Sequence, residues 1–281
     1  MSARSKPLRA AGKKQLAQLG PVLDELADQI EQPEYIDADP LRFMYQYDDR
    51  IDRLIAGFFA ALMAWGRRDI VIRKVGDLLA RMGDSPSGFI ADFSDSDADR
   101  FTDFKHRTFK PEDVYGLIML MQHMLHRFGD PEYFWAHCYQ LSLRLNRELI
   151  SVFREQFFNL APDLPERSRK HIADPEKNSS CKRLYLYLRW TIRNNSPVDT
   201  GLMNFMSPAE LKIPLDVHVA RHSRRLGLLT RKQNDWKAVC ELTDVLRKLN
   251  PEDPARYDYA LFGVGVMEQS LPQKLIVNKS V

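Results

Sequence analysis

Apolar residues return every three or four positions along most of the chain, and no run alternates with the two-residue period of a half-buried strand. The pattern predicts an all-α protein, with helices over 13–31, 49–65, 69–82, 111–128, 131–158, 180–193, 217–226, 235–249 and 254–267. The breaks carry turn chemistry. Gly83, Asp84, Ser85, Pro86, Ser87 and Gly88 form one cluster, and Pro131, Pro251 and Pro254 suit first-turn or pre-helix positions. The stretch 92–103 is acidic and interleaved with Phe93, Phe101 and Phe104, which reads as a surface loop held by aromatic anchors. Segment 161–180, with Pro162, Pro165 and Pro175, reads as a long connection or a short-helix region. No repeat or low-complexity run divides the chain, so residues 1–281 are expected to form one helical unit.

Composition narrows this picture. With 44% apolar residues the chain can bury a core. A net charge of +3 neither requires nor forbids nucleic acid as a partner; a local basic face matters more than the sum. Cys138, Cys181 and Cys240 are isolated, which argues against a disulfide scaffold and fits a reducing cytoplasm. Three cysteines also cannot supply a four-cysteine iron–sulfur cluster. Residues 1–14 are basic without the apolar run of a secretory signal, and the apolar stretch 54–65 is shorter than the roughly 20 residues of a membrane span. His123 and His126 share a helix, but no acidic residue completes a ligand set there. The expectation is a cytoplasmic, monomeric protein without membrane partner, metal or cofactor.

The chemistry concentrates near the C-terminus, in Ile213-Pro214-Leu215-Asp216-Val217-His218-Val219-Ala220-Arg221, continuing to Arg224-Arg225-Leu226-Gly227. Asp216 stands directly before a helical run, where its side chain can cap free N–H groups and the helix dipole favours its charged form. The helix places Val219, Ala220 and Leu226 inward and leaves Arg221, Arg224 and Arg225 to face outward. Taken alone, such an aspartate is most often only a cap. Farther on come a helix beginning near Trp236 and a closing segment, Tyr257-Asp258-Tyr259-Ala260-Leu261-Phe262-Gly263.

These elements, in this order, resemble the helix-hairpin-helix DNA glycosylases, and most closely a bacterial branch without an assigned substrate and without the iron–sulfur cluster. The resemblance is clear over about 180–266 and weak before it. It implies a two-lobed helical fold with the DNA and base cleft between lobes: a central lobe over 50–175 and a signature region over 176–270. It implies that Asp216 stabilises positive charge on the sugar, or activates the attacking group, as a damaged base leaves. Bifunctional relatives add a lysine that attacks the sugar as a free amine. The matching helix begins around Asn178, Ser179, Ser180, Cys181, Lys182 and Arg183, which nominates Lys182. Two departures stand out. Segment 171–180 lacks the glycines of the family hairpin, and 34 residues separate Lys182 from Asp216, about twice the family spacing. The excess reads as an inserted loop, 194–213. Within it Pro197-Val198-Asp199-Thr200 imitates the motif at the family spacing, but Gly201 would break the helix that should follow, so Asp216 is preferred. Asp199 is then left to cap a loop or line the base pocket.

The implied partner is double-stranded DNA bearing a damaged base or an abasic site, with oxidised purines as the expected substrate. Contacts are expected from Ser179, Ser180, Arg183, His218 and Arg221, and from Trp65 and Arg67 at a helix junction that could wedge into the duplex. Phe205 and Trp190 are candidates to touch the base. Lys105, His106 and Arg107 read equally as a basic contact or a plain loop. Two other classes remain open: a DNA-binding scaffold without catalysis, and a helical protein-interaction module in which Asp216 only caps.

Overall fold

A computed structural model of the protein describes residues 7–266 and 273–278. The described residues are helical, without a β-strand, and their buried apolar side chains form one continuous core. In chain order the helices are α1 (Lys13–Ile30), α2 (Glu34–Asp37), α3 (Arg50–Met63), α4 (Arg68–Met82), α5 (Pro86–Ala91), α6 (Pro111–Phe128), α7 (Pro131–Leu145), α8 (Leu149–Phe158), α9 (Lys182–Ile192), α10 (Val217–Leu226), α11 (Trp236–Arg247) and α12 (Tyr257–Val266). No helix among the described residues is long and apolar enough to cross a membrane.

Most helices fall where the apolar period places them, and their starts are fixed by the residues that precede them. Asp49, Asp130, Asp216 and Asp235 each cap a following helix through side-chain acceptance of backbone N–H groups. The single helix expected over 131–158 is instead two. Asn146 takes the left-handed conformation (φ 50°), closing α7, and α8 restarts after Glu148. The last helix is entered through a 3-10 turn, Pro254–Arg256, and the expected end at Met267 lies outside the described residues. The short α2, the 3-10 turn Pro40–Tyr45 and α5 have no counterpart in the sequence reading.

The centre of the fold is α3, buried over most of its surface from Leu54 to Met63 and packed against α9, α4 and the Pro40–Tyr45 turn. Elsewhere in the fold, α12 packs against both α1 and α10. Gly227 closes α10 in the left-handed conformation (φ 72°), and the backbone of Arg9 and Ala11 passes so close that a side chain there would collide. The expected inserted loop is an ordered strap without α-helix. Thr200 N–H donates to Trp190 O and Met203 N–H to Thr191 O, both at 2.7 Å, while Arg50 donates to Leu202 O. No helix follows Asp199.

Candidate active site

Two helix N-termini converge on a cleft of about 700 Å³. One is α10, capped by Asp216. The Oδ1 of Asp216 accepts from the N–H groups of His218 (2.8 Å) and Val219 (2.9 Å). The other is α9, whose first residue is Lys182, and Lys182 Nζ donates to Asp216 Oδ2 at 3.3 Å. The 34-residue separation is thus spanned by the strap, which brings the two nominated residues into contact. The Asp216 side chain is 10% exposed and that of Lys182 is 30% exposed, so the pair is sheltered and still reachable.

The turn before α9 explains how a hairpin without glycine reaches this geometry. Asn178 (φ 60°) and Cys181 (φ 49°) take the left-handed conformation that glycine would otherwise supply. Asparagine tolerates it; for a buried cysteine it is a strained choice held by its surroundings. The turn is pinned to α11: Asn178 Nδ2 donates to Asp235 Oδ2 at 3.1 Å, and Ser179 pairs with Asp235 through a β-bridge. Lys182 is preceded by a 3-10 turn, Pro175–Lys177, rather than by a full helix. Burial pushes the Cys181 thiol up to about 12, so it is no nucleophile at neutral pH.

The remaining nominated residues divide. Ser180, Trp65 and His218 line the cleft with Lys182 and Asp216. Trp65 is not a free wedge, because its ring stands edge-on to His106 (4.8 Å) and under the Arg183 guanidinium (4.9 Å). Arg183, expected on the DNA face, turns inward. Its Nη1 donates to Leu62 O at 2.7 Å, satisfying a free carbonyl at the end of α3, and burial lowers its pKa to about 10. His106 performs a similar service at Met63 O, 3.2 Å away, which makes the 105–107 segment a helix anchor as well as a basic loop. Arg67 is exposed and paired with Asp69 at 2.8 Å. Arg221 is exposed, with Nη2 3.3 Å from His222 Nε2. Arg224 does not face outward freely: it holds the loop before α11 through Arg231 O and Asn234 Oδ1, and Asn234 lines the cleft.

The aromatic side chains expected from the strap lie elsewhere. Phe205 stacks on Trp135, and Trp190 is fully buried; neither lines the cleft. Asp199 does not line it either. It is buried in an ion network, paired with Arg193, 3.4 Å from Arg189 and accepting from Tyr259 Oη at 2.8 Å. Arg193 extends the network to Glu31 (2.7 Å) and Asp253 (2.8 Å).

Sequence reasoning missed the inner wall. Tyr35, Asp39, Arg68, Arg189, Asp258 and Phe262 all line the cleft. Asp258 is buried and paired with Arg189; burial, reinforced by the Asp216 carboxylate, pushes its carboxyl up to about 7 against the Arg189 charge. The Tyr-Asp-Tyr string around it is the one available signal, an acidic residue inside an apolar closing helix.

Three buried histidines, His106, His171 and His222, and the buried Asp258 give the fold a pH dependence. Burial lowers His171 to about 4, against its Asp113 neighbour, and lowers His222 to about 4 with help from Arg221 and Arg225. The unfolded chain takes up these protons near pH 6.5, the folded chain only near 4, so the unfolded state binds more protons in between. His171 and His222 therefore each lower stability by about 1.4 kcal/mol per pH unit as the pH drops from about 6.5 towards 4. Asp258, raised to about 7, takes up its proton in the folded state and offsets about one of them, so the net expectation below about pH 6 is a fall. Urea midpoints measured at about pH 6, 5.5 and 5 should decline, and a His171→Phe/His222→Phe chain should lose that slope or reverse it, because Asp258 remains. A midpoint flat over this range would contradict the assignment.

Residues 39–267 match the profile of the family described as a protein of unknown function (DUF2400), and the chain belongs to that family. Neither the curated proteins nor the solved structures contain a match.

Proposed function

We propose that this protein is a DNA base-excision enzyme, a glycosylase with a lysine-dependent lyase step, acting on a damaged base flipped from the duplex into the cleft. The observation that carries this reading is the 3.3 Å contact between Lys182 Nζ and Asp216 Oδ2 at two converging helix N-termini. In the reaction Lys182 Nζ bonds to the sugar C1′ as the glycosidic bond breaks. Asp216 takes a proton from the paired Lys182 ammonium to free the attacking amine, and once that proton has gone on to the departing base its restored carboxylate balances the positive charge left at the sugar. Asp216 passes its proton to the departing base. The C1′–O4′ bond of the resulting aminal then opens, O4′ taking a proton from the nitrogen, and the protonated imine that is left permits loss of a C2′ proton and β-elimination of the 3′ phosphate. Ser179, Ser180, Arg67 and Arg221 contact the backbone around the cleft mouth, with His218 and Trp65 beside the flipped nucleotide. On this reading the helices on either side of the cleft are the two lobes that grip the DNA.

The ion pair itself favours a second reading, in which Lys182 only holds the Asp216 carboxylate and water attacks the sugar. Borohydride reduction of the protein mixed with a duplex carrying one abasic site separates the two. A covalent adduct that disappears in Lys182→Gln supports the lysine route. Base release without an adduct supports the water route. Neither an adduct nor release from a panel of oxidised, deaminated and alkylated bases would overturn the enzyme assignment.

A further inference from the structure

The inner wall of the cleft holds a charged donor with no acceptor. Arg68 opens α4, and its guanidinium lies 5.7 Å from the ring centre of Tyr35 and 5.3 Å from that of Phe262. Its Nη2 is shielded from solvent and meets no hydrogen-bond partner among the described residues. The Nδ1 of His218 is in the same condition, its ring edge-on to Phe262 at 6.0 Å. An N–H buried without a partner costs about 1–3 kcal/mol, and more when charged. A site that carries this cost is built for a ligand that supplies the acceptor.

The charge of the wall says what kind of acceptor. Arg68, Lys182 and Arg189 face Asp39, Asp216 and Asp258, three cations against three carboxylates, so the lining does not select a phosphate. The rest is mostly aromatic and aliphatic, with Tyr35, Trp65, Val71, Leu186, Leu215 and Phe262. A flat, uncharged ring with polar edges fits such a lining. Asp39 and Asp258 bring carboxylate oxygens to the wall that carries Arg68, and all three lie close enough to Tyr35 to act on its hydroxyl. With Asp39 Oδ1 taken by Leu41 N–H, Arg68 and the second Asp39 oxygen offer the cleft a donor and an acceptor, the pair that a ring carbonyl adjacent to a ring N–H would use.

We propose that Arg68 determines the specificity of this cleft, donating to the carbonyl oxygen of a purine lactam (hypoxanthine, guanine or an oxidised guanine) while Asp39 accepts from the adjacent ring N–H. This rests on the base-excision reading for its biological setting and on the wall itself for its chemistry. Adenine has the same shape with both groups reversed, an amino donor facing Arg68 and a bare ring nitrogen facing Asp39. Sites built around hydrogen bonds reject such mismatches far more strongly than apolar pockets reject a change of size.

The test is binding of free hypoxanthine and free adenine to the full chain, followed by ligand-observed NMR with competition. Hypoxanthine is expected to bind at least about tenfold more tightly than adenine, as one charge-assisted hydrogen bond implies. Arg68→Met is expected to erase the preference and Arg68→Lys to retain part of it, with circular dichroism reporting that each variant folds. Should the Met variant fail to fold, the wild-type pair of dissociation constants still decides. Equal binding of the two bases, binding of neither, or a preference that survives Arg68→Met would overturn the proposal. The wild-type adduct with abasic DNA, which contains no base, reports on the base-excision reading separately. A lactam preference without an adduct leaves the pocket assignment standing and removes that chemistry; an adduct without a preference does the reverse.

Discussion

On the base-excision proposal, Asp216→Asn is expected to lower base release by about a hundred- to a thousandfold while leaving the fold and DNA binding intact. The substitution is close to isosteric, and asparagine is as good an N-cap as aspartate. Its Oδ1 keeps the bonds from His218 and Val219 N–H, so α10 retains its start. What changes is the second oxygen, which becomes an NH₂ group and can no longer accept from Lys182 or oppose positive charge in the cleft. Alanine would confuse the result, because loss of the cap alone costs about 1 kcal/mol. Single-turnover excision, DNA binding by anisotropy and a thermal melt separate these effects. A variant that still releases base at the wild-type rate would remove Asp216 from the chemistry.

Asp199→Ala is expected to do the opposite, costing about 3–5 kcal/mol of stability whatever it does to activity. Asp199 is 4% exposed and shared by Arg189, Arg193 and the Tyr259 hydroxyl. Its removal strips two buried guanidinium groups of a counter-charge and leaves a buried hydroxyl without its acceptor. Arg193 keeps Glu31 and Asp253, which tempers the loss, whereas among the described residues Arg189 keeps only Asp258 as a carboxylate partner. The urea midpoint measures this directly, and a midpoint equal to that of the wild type would show the network to be dispensable. The two aspartates sit in nearly the same local sequence, Pro-Leu-Asp-Val and Pro-Val-Asp-Thr, and the chain uses one at the cleft and the other inside the fold.

That pair shows what could be read from the letters. A helix follows Asp216 and a glycine follows Asp199, so the capping difference was legible without coordinates. The helices were legible for the same local reason: each buries one stripe, and the stripe recurs along the chain. The break at Asn146 was not, because polar Arg147 and Glu148 fit a continuing amphipathic pattern and only the left-handed torsion reveals the stop. The contact of Lys182 with Asp216 depends on how the strap folds back over α9, which no local period encodes. The inner wall was the least visible part. Tyr35 and Asp39 come from short elements near the N-terminus and Arg68 from the start of α4, and they meet Asp258 and Phe262 through the tertiary packing of α12. The left-handed turn at Asn178 and Cys181 was hidden because torsion angles usually supplied by glycine are held here by other residues.

Arg189 and Asp258 belong to the cleft and to the ion network at once. This divides the cleft into two evolutionary regimes. Its floor is tied to folding, so exchanging either residue for a new ligand would first have to be survived as a stability defect. Its rim is freer of that tie at Val217, which is 67% exposed. Relatives that have drifted to new substrates should differ at the rim and agree at the floor.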